Sequence, residues 1–289
     1  MKPTQHVDTT RRVEGAAGAG RIEILGVGHE YRRPGTDEAQ IVLDSVNLEI
    51  AAREFVCLLG PSGCGKSTLL MIVAGLLQPK RGSVAVDGVQ VSGPSRERGV
   101  VFQDYALLPW KSVSSNVALG PRLAGASRRE ARQTADEFLA LVGLEGVGDK
   151  YPHELSGGMR QRAAVARTLA ARPKVLLMDE PFAAVDAQTR TLLQEELVGI
   201  WRELGQTVIF VTHSVEESVL LADRVVLMGT SPGRIKDVVP ITLPHEGRFE
   251  IDAAMQVAKA GSVLLESLRD NERGGTRADR AKRSAAWGG

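Results

Sequence analysis

The sequence predicts an α/β protein built around a parallel sheet with helices on both faces. Two kinds of segment alternate along most of the chain: short, continuously apolar runs and longer segments of helical character. A continuous apolar run is typical of a strand that is buried on both sides, and its alternation with helices favours parallel pairing. The apolar runs lie at 54–60, 174–180, 207–213 and 224–229, and the helical segments at 66–77, 187–204 and 214–223.

The segments outside this alternation predict further elements. Residues 21–50 alternate between apolar and polar, which indicates half-buried, mostly antiparallel strands. Residues 82–91 predict a hairpin that turns at Asp87-Gly88. The stretch from about 104 to 171 is mainly helical, and its part 127–144 is amphipathic.

The C-terminal part is predicted to add a short β-like piece, "GRIKDVVPITLP", and one helix near 251–269. Both ends of the chain are polar or rich in small residues, which predicts disorder. The predicted organisation is therefore a disordered tail at 1–20, a main domain at 21–235 with its helical part at about 104–171, an extension at 236–270 and a disordered tail at 271–289.

The composition is that of an ordinary globular protein. The 289 residues are 43% hydrophobic and 25% charged, with a formal net charge of +1. This charge balance gives no reason to expect a nucleic-acid partner. The two cysteines, Cys57 and Cys64, are too close to form a plausible structural disulfide and fit a cytoplasmic setting. No apolar stretch reaches the 18 or so residues of a membrane-spanning helix, and the N-terminus is not expected to be a secretory signal.

A glycine-rich loop follows the first buried strand and opens a helix. The segment "GPSGCGKST" fits the phosphate-binding pattern G-x-x-x-x-G-K-[ST]. Backbone N–H groups in such a loop converge on phosphate oxygens, and the helix N-terminus adds a favourable dipole. The lysine is expected to reach the β- and γ-phosphates and the serine hydroxyl to bind Mg²⁺; the alternative is a structural turn. The candidate ATP-binding residues here are Gly60, Pro61, Ser62, Gly63, Cys64, Gly65, Lys66, Ser67 and Thr68.

Two acidic residues end a second buried strand in "VLLMDEP". Asp179 is placed to hold the Mg²⁺ shell through water, and Glu180 to polarise an attacking water. Lys66 and Glu180 are candidate catalytic residues. The alternative for the acidic pair is two charges at the start of a surface loop.

The segment "LSGGMRQR" at 155–162 places two adjacent glycines before a predicted helix, Met159–Ala171. Glycine costs about 1 kcal/mol against alanine inside a helix, so the pair needs another explanation. Together with the phosphate loop and the acidic pair, this segment resembles the signature of the ATP-binding subunits of ABC transporters, over about residues 22–235. The resemblance implies a RecA-like P-loop NTPase core with an antiparallel β subdomain and an inserted helical subdomain.

The same resemblance implies that the signature acts in a dimer, with ATP and Mg²⁺ as cofactors. Ser156, Gly157 and Gly158 are expected to form a second anion-binding helix start for ATP held by the partner's phosphate loop. Asp186 matches the D-loop, which makes contacts across the dimer.

Three further residues receive a role from the resemblance. Gln103 matches the Q-loop glutamine, which senses Mg²⁺ and the γ-phosphate and is a candidate metal ligand. His213 matches the switch histidine, which is expected to hold the γ-phosphate and the water and is the third candidate catalytic residue. Tyr31 is the candidate for stacking on adenine, although the following segment, 32–40, makes this alignment loose.

The sequence departs from the family pattern at three positions. Arg53 lies in a turn where the family usually has glycine, and Ala183 and Val185 replace the more common Gly and Leu of the D-loop. None of these changes removes a functional group, so we expect activity to be retained.

The resemblance also implies partners and a location. A single cassette without a membrane span predicts a homodimer, or a heterodimer with a similar chain, on permease subunits at the cytoplasmic face of the membrane, served indirectly by a solute-binding protein. The details "LLPW", "LSGGMRQR" and "GTSPGRI…ITLP" resemble the nitrate, sulfonate and taurine importer group. Trp110 is either a core residue of the helical subdomain or part of a groove that accepts the permease.

Other function classes are less well supported by the sequence. Soluble ABC ATPases that act on DNA or ribosomes usually carry two cassettes, long coiled-coil insertions or zinc-binding cysteines, and this sequence has none of these. A regulatory protein that binds ATP without turnover would not need Glu180 and His213. An importer subunit for an unrelated cargo also stays open.

Overall fold

The computed structural model describes residues 20–32, 39–183, 185–229, 232–245, 247–250 and 253–273. The two tails predicted to be disordered lie outside this range, apart from Gly20 and residues 271–273, which belong to the last helix. The strands are β1 Ile22–Arg32, β2 Ala39–Ile50, β3 Phe55–Leu59, β4 Arg81–Val86, β5 Val89–Gln90, β6 Arg98–Val101, β7 Val175–Asp179, β8 Thr207–Thr212, β9 Arg224–Gly229 and β10 Arg234–Pro240. The helices are α1 Lys66–Ala74, α2 Val113–Val117, α3 Leu119–Leu123, α4 Arg128–Leu141, α5 Gly157–Ala170, α6 Ala187–Leu204, α7 Val215–Leu221 and α8 Ala254–Arg273.

The central sheet has the order β10-β9-β3-β8-β7-β6. Its five strands from β9 to β6 pair in parallel, and β10 is added antiparallel at the edge. Parallel pairing was predicted for β3, β7, β8 and β9, whereas β6 was not predicted as a strand. All residues of β3 and β8 are buried because apolar layers cover both faces of the sheet. Since all five parallel strands point the same way, the loops that follow them meet at one edge of the sheet.

A second, antiparallel sheet has the order β2-β1-β4-β5 and confirms the strands predicted within 21–50 and the hairpin at Asp87-Gly88. Its apolar side chains share one core with α1 and with one face of the central sheet, including Val56 and Leu58 of β3. The alternate residues of β3, such as Phe55 and Cys57, face the core on the other side.

The predicted helical segment contains α2 to α5, between Val113 and Ala170. Residues 104–112 form no helix, because Tyr105 and Ala106 have φ angles of 56° and 51°, in the left-handed region. Trp110 follows this bend and is 71% exposed. Of the two alternatives for Trp110, the core position is therefore wrong, and the side chain is available at the surface.

Two predicted boundaries differ from the structure. Helix α1 was expected to reach residue 77 but ends at Ala74, because Gly75 turns the chain with φ of 78°. A Cβ at Gly75 would lie 2.2 Å from the carbonyl oxygen of Gly93, so only glycine allows this close approach. The domain limit expected at residue 235 falls inside β10, since this strand pairs with β9 from Arg234 to Pro240.

Three smaller expectations can be compared with the structure. The C-terminal helix is present as α8. Cys57 and Cys64 are both buried free thiols. Within the described residues, no helix has the length and apolar character required to cross a membrane.

Candidate functional site

The predicted phosphate loop, 60–68, connects β3 to α1 at the carboxyl edge of the central sheet. Gly65 precedes α1 with φ of 90°, and a Cβ there would lie 2.6 Å from Cδ2 of Leu43 in β2. Glycine is therefore required both for the backbone conformation and for the close approach of the antiparallel sheet. The loop delivers the N-terminus of α1, with its free N–H groups, to this edge.

Lys66 lies at the start of α1 and is only 5% exposed. Its Nζ donates hydrogen bonds to the carbonyl oxygens of Gly60 at 2.8 Å and Pro61 at 2.9 Å. The ammonium group is thus held against the loop by carbonyl oxygens, which a phosphate oxygen can supplement or replace. Cys64 is a neighbour of this lysine, and burial raises the pKa of its thiol.

Ser67 and Asp179 form the first side-chain pair of the site. The hydroxyl of Ser67 donates to Oδ1 of Asp179 at 2.8 Å, which brings the end of β7 to the start of α1. Burial raises the pKa of Asp179, while the Ser67 hydrogen bond acts in the opposite direction.

The oxygens of this pair suit Mg²⁺, which prefers hard oxygen ligands and commonly takes the rest of its shell from water and substrate phosphates. In the described parts of the chain, no cluster of three or more His, Cys, Asp or Glu side chains is arranged to hold a metal.

Glu180 and His213 form the second pair. Nδ1 of His213 lies 3.0 Å from Oε2 of Glu180, and the two residues follow the neighbouring strands β7 and β8. Glu180 has φ of 43°, and its N–H donates to the carbonyl oxygen of Val211 at 3.1 Å. Because the chain turns at Glu180, the side chains of the consecutive residues Asp179 and Glu180 can both lie at the carboxyl edge of the sheet. Backbone strain of this kind is often found at functional sites.

Gln103 follows β6, the strand next to β7, so it reaches the same edge of the sheet. Its side chain is exposed. The loop after it is held by Arg167 of α5, which donates to the carbonyl oxygens of Tyr105, at 3.1 Å, and Ala106. The guanidinium of Arg160, also in α5, lies 5.6 Å from the ring centroid of Tyr105. Helix α5 therefore supports the loop that carries Gln103.

Tyr31 lies near the end of β1, opposite Gln40 of β2, and is 45% exposed. Its ring meets the edge of His29 with 4.8 Å between ring centroids. Two residues before Tyr31, His29 pairs with Leu43, whose Cδ2 would lie 2.6 Å from a Cβ at Gly65, so β2 packs against the phosphate loop next to this part of β1.

The signature residues occupy the start of α5. Ser156 is the N-cap, and its Oγ accepts from the N–H of Met159 at 3.3 Å. Gly157 and Gly158 form the first turn, and a Cβ at Gly158 would lie 3.0 Å from Cγ2 of Thr189 in α6. The helix thus begins on the two glycines, and its N-terminus is a potential anion site.

Asp186 is the N-cap of α6, and its Oδ1 accepts from the N–H of Thr189 at 3.0 Å. This hydrogen bond lowers the pKa of Asp186. Its local contact is therefore structural, and the contact expected across a dimer would be additional.

The sequence analysis did not identify the side chains that support the site from behind, among them Arg160, Arg167, Arg190 and Glu217. Glu217 could have been singled out from "SVEE", since a serine followed three residues later by glutamate is a helix-capping pattern. Arg167 carries no comparable local signal, because its partner is a carbonyl oxygen 62 residues away in the sequence. Arg160 and Arg190 each donate to a carbonyl oxygen five residues earlier, but no residue pattern predicts such a contact with the backbone.

Comparisons with known proteins agree with this geometry. The family model described as ABC transporter matches residues 43–183. A nitrate import ATP-binding protein from Synechocystis sp. is 49% identical over 206 residues, which cover 71% of this chain and 77% of that protein. A taurine import ATP-binding protein from Pseudomonas putida is 44% identical over 246 residues, which cover 85% of this chain and 92% of that protein.

A solved dimeric ATP-binding cassette, bound to ADP and Pi in a post-hydrolysis state, matches with a TM-score of 0.69 and 31% identity. The match covers 77% of this chain and 100% of that one. Strand order, phosphate loop and sequence similarity thus lead to one conclusion: the chain belongs to the ABC transporter family, as an ATP-binding subunit that hydrolyses ATP.

Proposed function

We propose that this subunit powers the import of a small oxyanion or sulfonate, of the nitrate or taurine type. The proposal is supported by the names of two relatives, a nitrate and a taurine import ATP-binding protein, which match most of their length to this chain. No described residue is placed to contact a cargo, so the cargo class depends on this similarity.

The observation that carries the ATPase chemistry is the convergence of two side-chain pairs, Ser67–Asp179 and Glu180–His213, on the sheet edge with the phosphate loop. Lys66 would bind the β- and γ-phosphates of ATP, and the backbone of 60–68 would bind their oxygens. Ser67, Asp179 and Gln103 would hold Mg²⁺, which neutralises phosphate charge when bound.

Glu180 would accept a hydrogen bond from the attacking water. It would take the water's proton as the water oxygen bonds to the γ-phosphorus and the bond from that phosphorus to the leaving ADP oxygen breaks. His213, hydrogen bonded to the same carboxylate, would orient Glu180 and contact the γ-phosphate. Tyr31, at the exposed end of β1, would stack on adenine.

The remaining residues would act in a dimer. The start of α5, with Ser156, Gly157 and Gly158, would bind the γ-phosphate of ATP on the partner subunit. Asp186 would make its D-loop contact with the partner. A dimeric cassette with ADP and Pi is among the structures similar to this chain, which supports the arrangement.

Permease subunits are the proposed membrane partner, contacted from the cytoplasmic face. Trp110 supports this, because an exposed tryptophan next to the loop of Gln103 is suited to a protein interface. Through Arg167, contact at this loop would reach the signature helix α5.

Co-purification tests this proposal directly. The tagged full-length chain is isolated from its native membranes in mild detergent, and a Trp110→Ser variant is compared with it. We expect a multi-span permease in stoichiometric amount with the parent chain and a reduced amount with the variant. Recovery of ribosomes or nucleic acid in place of a permease would instead support a soluble, non-transport ABC ATPase.

The cargo class is tested with the permease complex in liposomes, supplied with its solute-binding protein. We expect nitrate or small sulfonates such as taurine to stimulate ATP hydrolysis and to accumulate. Stimulation by sugars or amino acids, with no response to these anions, would assign an unrelated cargo.

A further inference from the structure

Helix α7 begins directly after the proposed switch histidine, His213, and a third side chain interrupts the capping box at its start. In an ordinary capping box, the glutamate at the third helical position accepts from the N–H of the N-cap serine. Here Ser214 Oγ accepts from the N–H of Glu217 at 3.2 Å, as expected, but the N–H of Ser214 donates to Oγ1 of Thr212 at 2.9 Å. The Thr212 hydroxyl in turn donates to Oε2 of Glu217. The Thr212 hydroxyl thus connects Ser214 to Glu217, and the two residues that flank His213, Thr212 and Ser214, are both held by hydrogen bonds.

The other carboxylate oxygen of Glu217 contacts α6. Oε1 accepts from Nε2 of Gln194 at 3.0 Å, and Nε of Arg190 lies 4.0 Å away. Gln194 is 3% exposed, and the Glu217 side chain is 12% exposed, so these bonds are largely shielded from water. Shielded bonds to a carboxylate hold their geometry more strictly than exposed ones.

Arg190 continues the network to the D-loop. Its Nη2 donates to the carbonyl oxygen of Val185 at 2.8 Å, directly before Asp186. One carboxylate therefore connects the segment around His213 with the segment that begins α6.

The hydrogen-bond pattern at this position matches a carboxylate. Both oxygens of Glu217 accept hydrogen bonds, from the Thr212 hydroxyl and from the Gln194 amide. A glutamine at 217 has one acceptor oxygen, so either the Thr212 hydroxyl or the Gln194 amide would have to reverse its hydrogen bond or lose it. A glutamate serving only as the capping-box partner of Ser214 would not need acceptors on both sides.

We propose that Glu217 is a positioning residue: it orients His213 toward Glu180 and links this pair to the D-loop through Arg190. The inference rests on the proposed roles of Glu180 and His213. The inference also means that a change in the position of Asp186, at the proposed dimer contact, changes the orientation of His213 through Arg190 and Glu217.

The test is steady-state ATP hydrolysis by full-length Glu217→Gln. We expect kcat to fall about tenfold or more, because small misplacements at a catalytic centre have effects of this size, while the KM for ATP and the Tm stay close to the parent values. Glu216→Gln is the matched control, since Glu216 is exposed in the same turn of α7 and loses the same charge. It should hydrolyse ATP at the parent rate.

A double variant provides a rescue that a general loss of stability would not. Gln194→Glu combined with Glu217→Gln restores a donor and an acceptor between positions 194 and 217 and leaves an acceptor for Thr212. We expect it to recover most of the lost kcat. Parent-like kcat in Glu217→Gln, a fall in Tm large enough to explain its loss of activity, or failure of the double variant to recover would each overturn the inference.

His213→Ala and Glu180→Gln separate this inference from the function on which it rests. If either variant hydrolyses ATP at the parent rate, its proposed catalytic role is wrong, whatever Glu217 does. If both lose activity while Glu217→Gln keeps it, only the positioning role of Glu217 is wrong.

Discussion

At the residue scale, Arg53 shows how a departure from the family pattern is accommodated. The family resemblance leads us to expect glycine at this position, and Arg53 adopts φ of 64°, which is unfavourable for any residue with a Cβ. Its N–H donates to Oγ1 of Thr207 at 2.8 Å, so the turn is held by a partner on the neighbouring strand. This hydrogen bond holds Arg53 in its unfavourable backbone conformation, so the folded protein carries that conformational strain.

Arg53→Gly should relieve this strain and stabilise the protein by about 0.5–1 kcal/mol, after allowance for the greater freedom of glycine in the unfolded chain. Urea unfolding measures the difference. Arg53→Ala is the control, because it removes the charge but keeps the Cβ, and it should not be stabilising. An equal gain from alanine would show that the charge, not the backbone, is responsible.

A second residue-scale prediction concerns Asp179, whose pKa burial raises. A carboxyl group whose pKa is higher in the folded state destabilises the fold as pH rises through the interval between its unfolded and folded pKa values. Asp179→Asn removes this effect and keeps an acceptor for Ser67. We therefore expect the nucleotide-free variant to gain about 1–2 °C in Tm at neutral pH, a small value because the group is only partly shielded.

The same variant should lose most of the Tm gain produced by Mg²⁺ with ATP, since it lacks a proposed Mg²⁺ ligand. Glu180→Gln serves as the comparison, because it alters the proposed base and keeps the metal site. It should retain a large Mg²⁺- and ATP-dependent gain. Loss of that gain in Glu180→Gln but not in Asp179→Asn would reverse the two assignments.

At the element scale, the sequence predicts the strands and the starts of the helices best, because their signals are local. The apolar run of β3 stops at Gly60, and Ser156, Asp186 and Ser214 are all N-caps in the structure. The end of α1 was missed because Leu76 and Leu77 continue the apolar pattern, whereas Gly75 ends the helix with φ of 78°, in a place where Gly93 leaves no room for a Cβ.

The site was predictable as a set of motifs but not as a connected structure. The positions of Lys66, Asp179 and Glu180 follow from strand ends, which meet at one edge in a parallel sheet. The network from Thr212 through Glu217 to Arg190 depends on how α6 packs against α7, and this packing has no signature in a single sequence. Tertiary contacts of this kind become visible only in the fold.

At the scale of the whole molecule, the C-terminal extension is joined to the ATPase core by Arg248. This side chain is 3% exposed, and its Nη1 donates to the carbonyl oxygens of Val219, Leu220 and Ala222 at 3.0, 3.3 and 2.7 Å. Its Nε donates to the carbonyl oxygen of Leu243 at 3.1 Å. One guanidinium thus satisfies the carbonyls at the end of α7 and fixes the chain that leads to α8.

A second contact lies next to this anchor. Nε2 of His245 lies 2.8 Å from Oδ1 of Asp223, whose Oδ2 accepts from the N–H of Phe55 at 2.8 Å. Burial acts to raise the pKa of Asp223, but these hydrogen bonds outweigh it, and the pKa is lowered. The extension is therefore bound to the start of β3 and to the end of α7, and we expect it to unfold together with the site.

Arg248→Met should accordingly destabilise the whole domain, by about 2–4 kcal/mol, because it leaves several shielded carbonyl groups without donors. Urea unfolding followed by tryptophan fluorescence measures this, since Trp201 lies 5.0 Å from the ring of His245. Arg132→Met is the matched control: Arg132 pairs with Asp149 at the surface, and its loss should cost less than about 0.5 kcal/mol. If Arg248→Met frees only α8, seen as rapid hydrogen exchange there with unchanged global unfolding, the extension is a separate unit docked on a core that is stable without it.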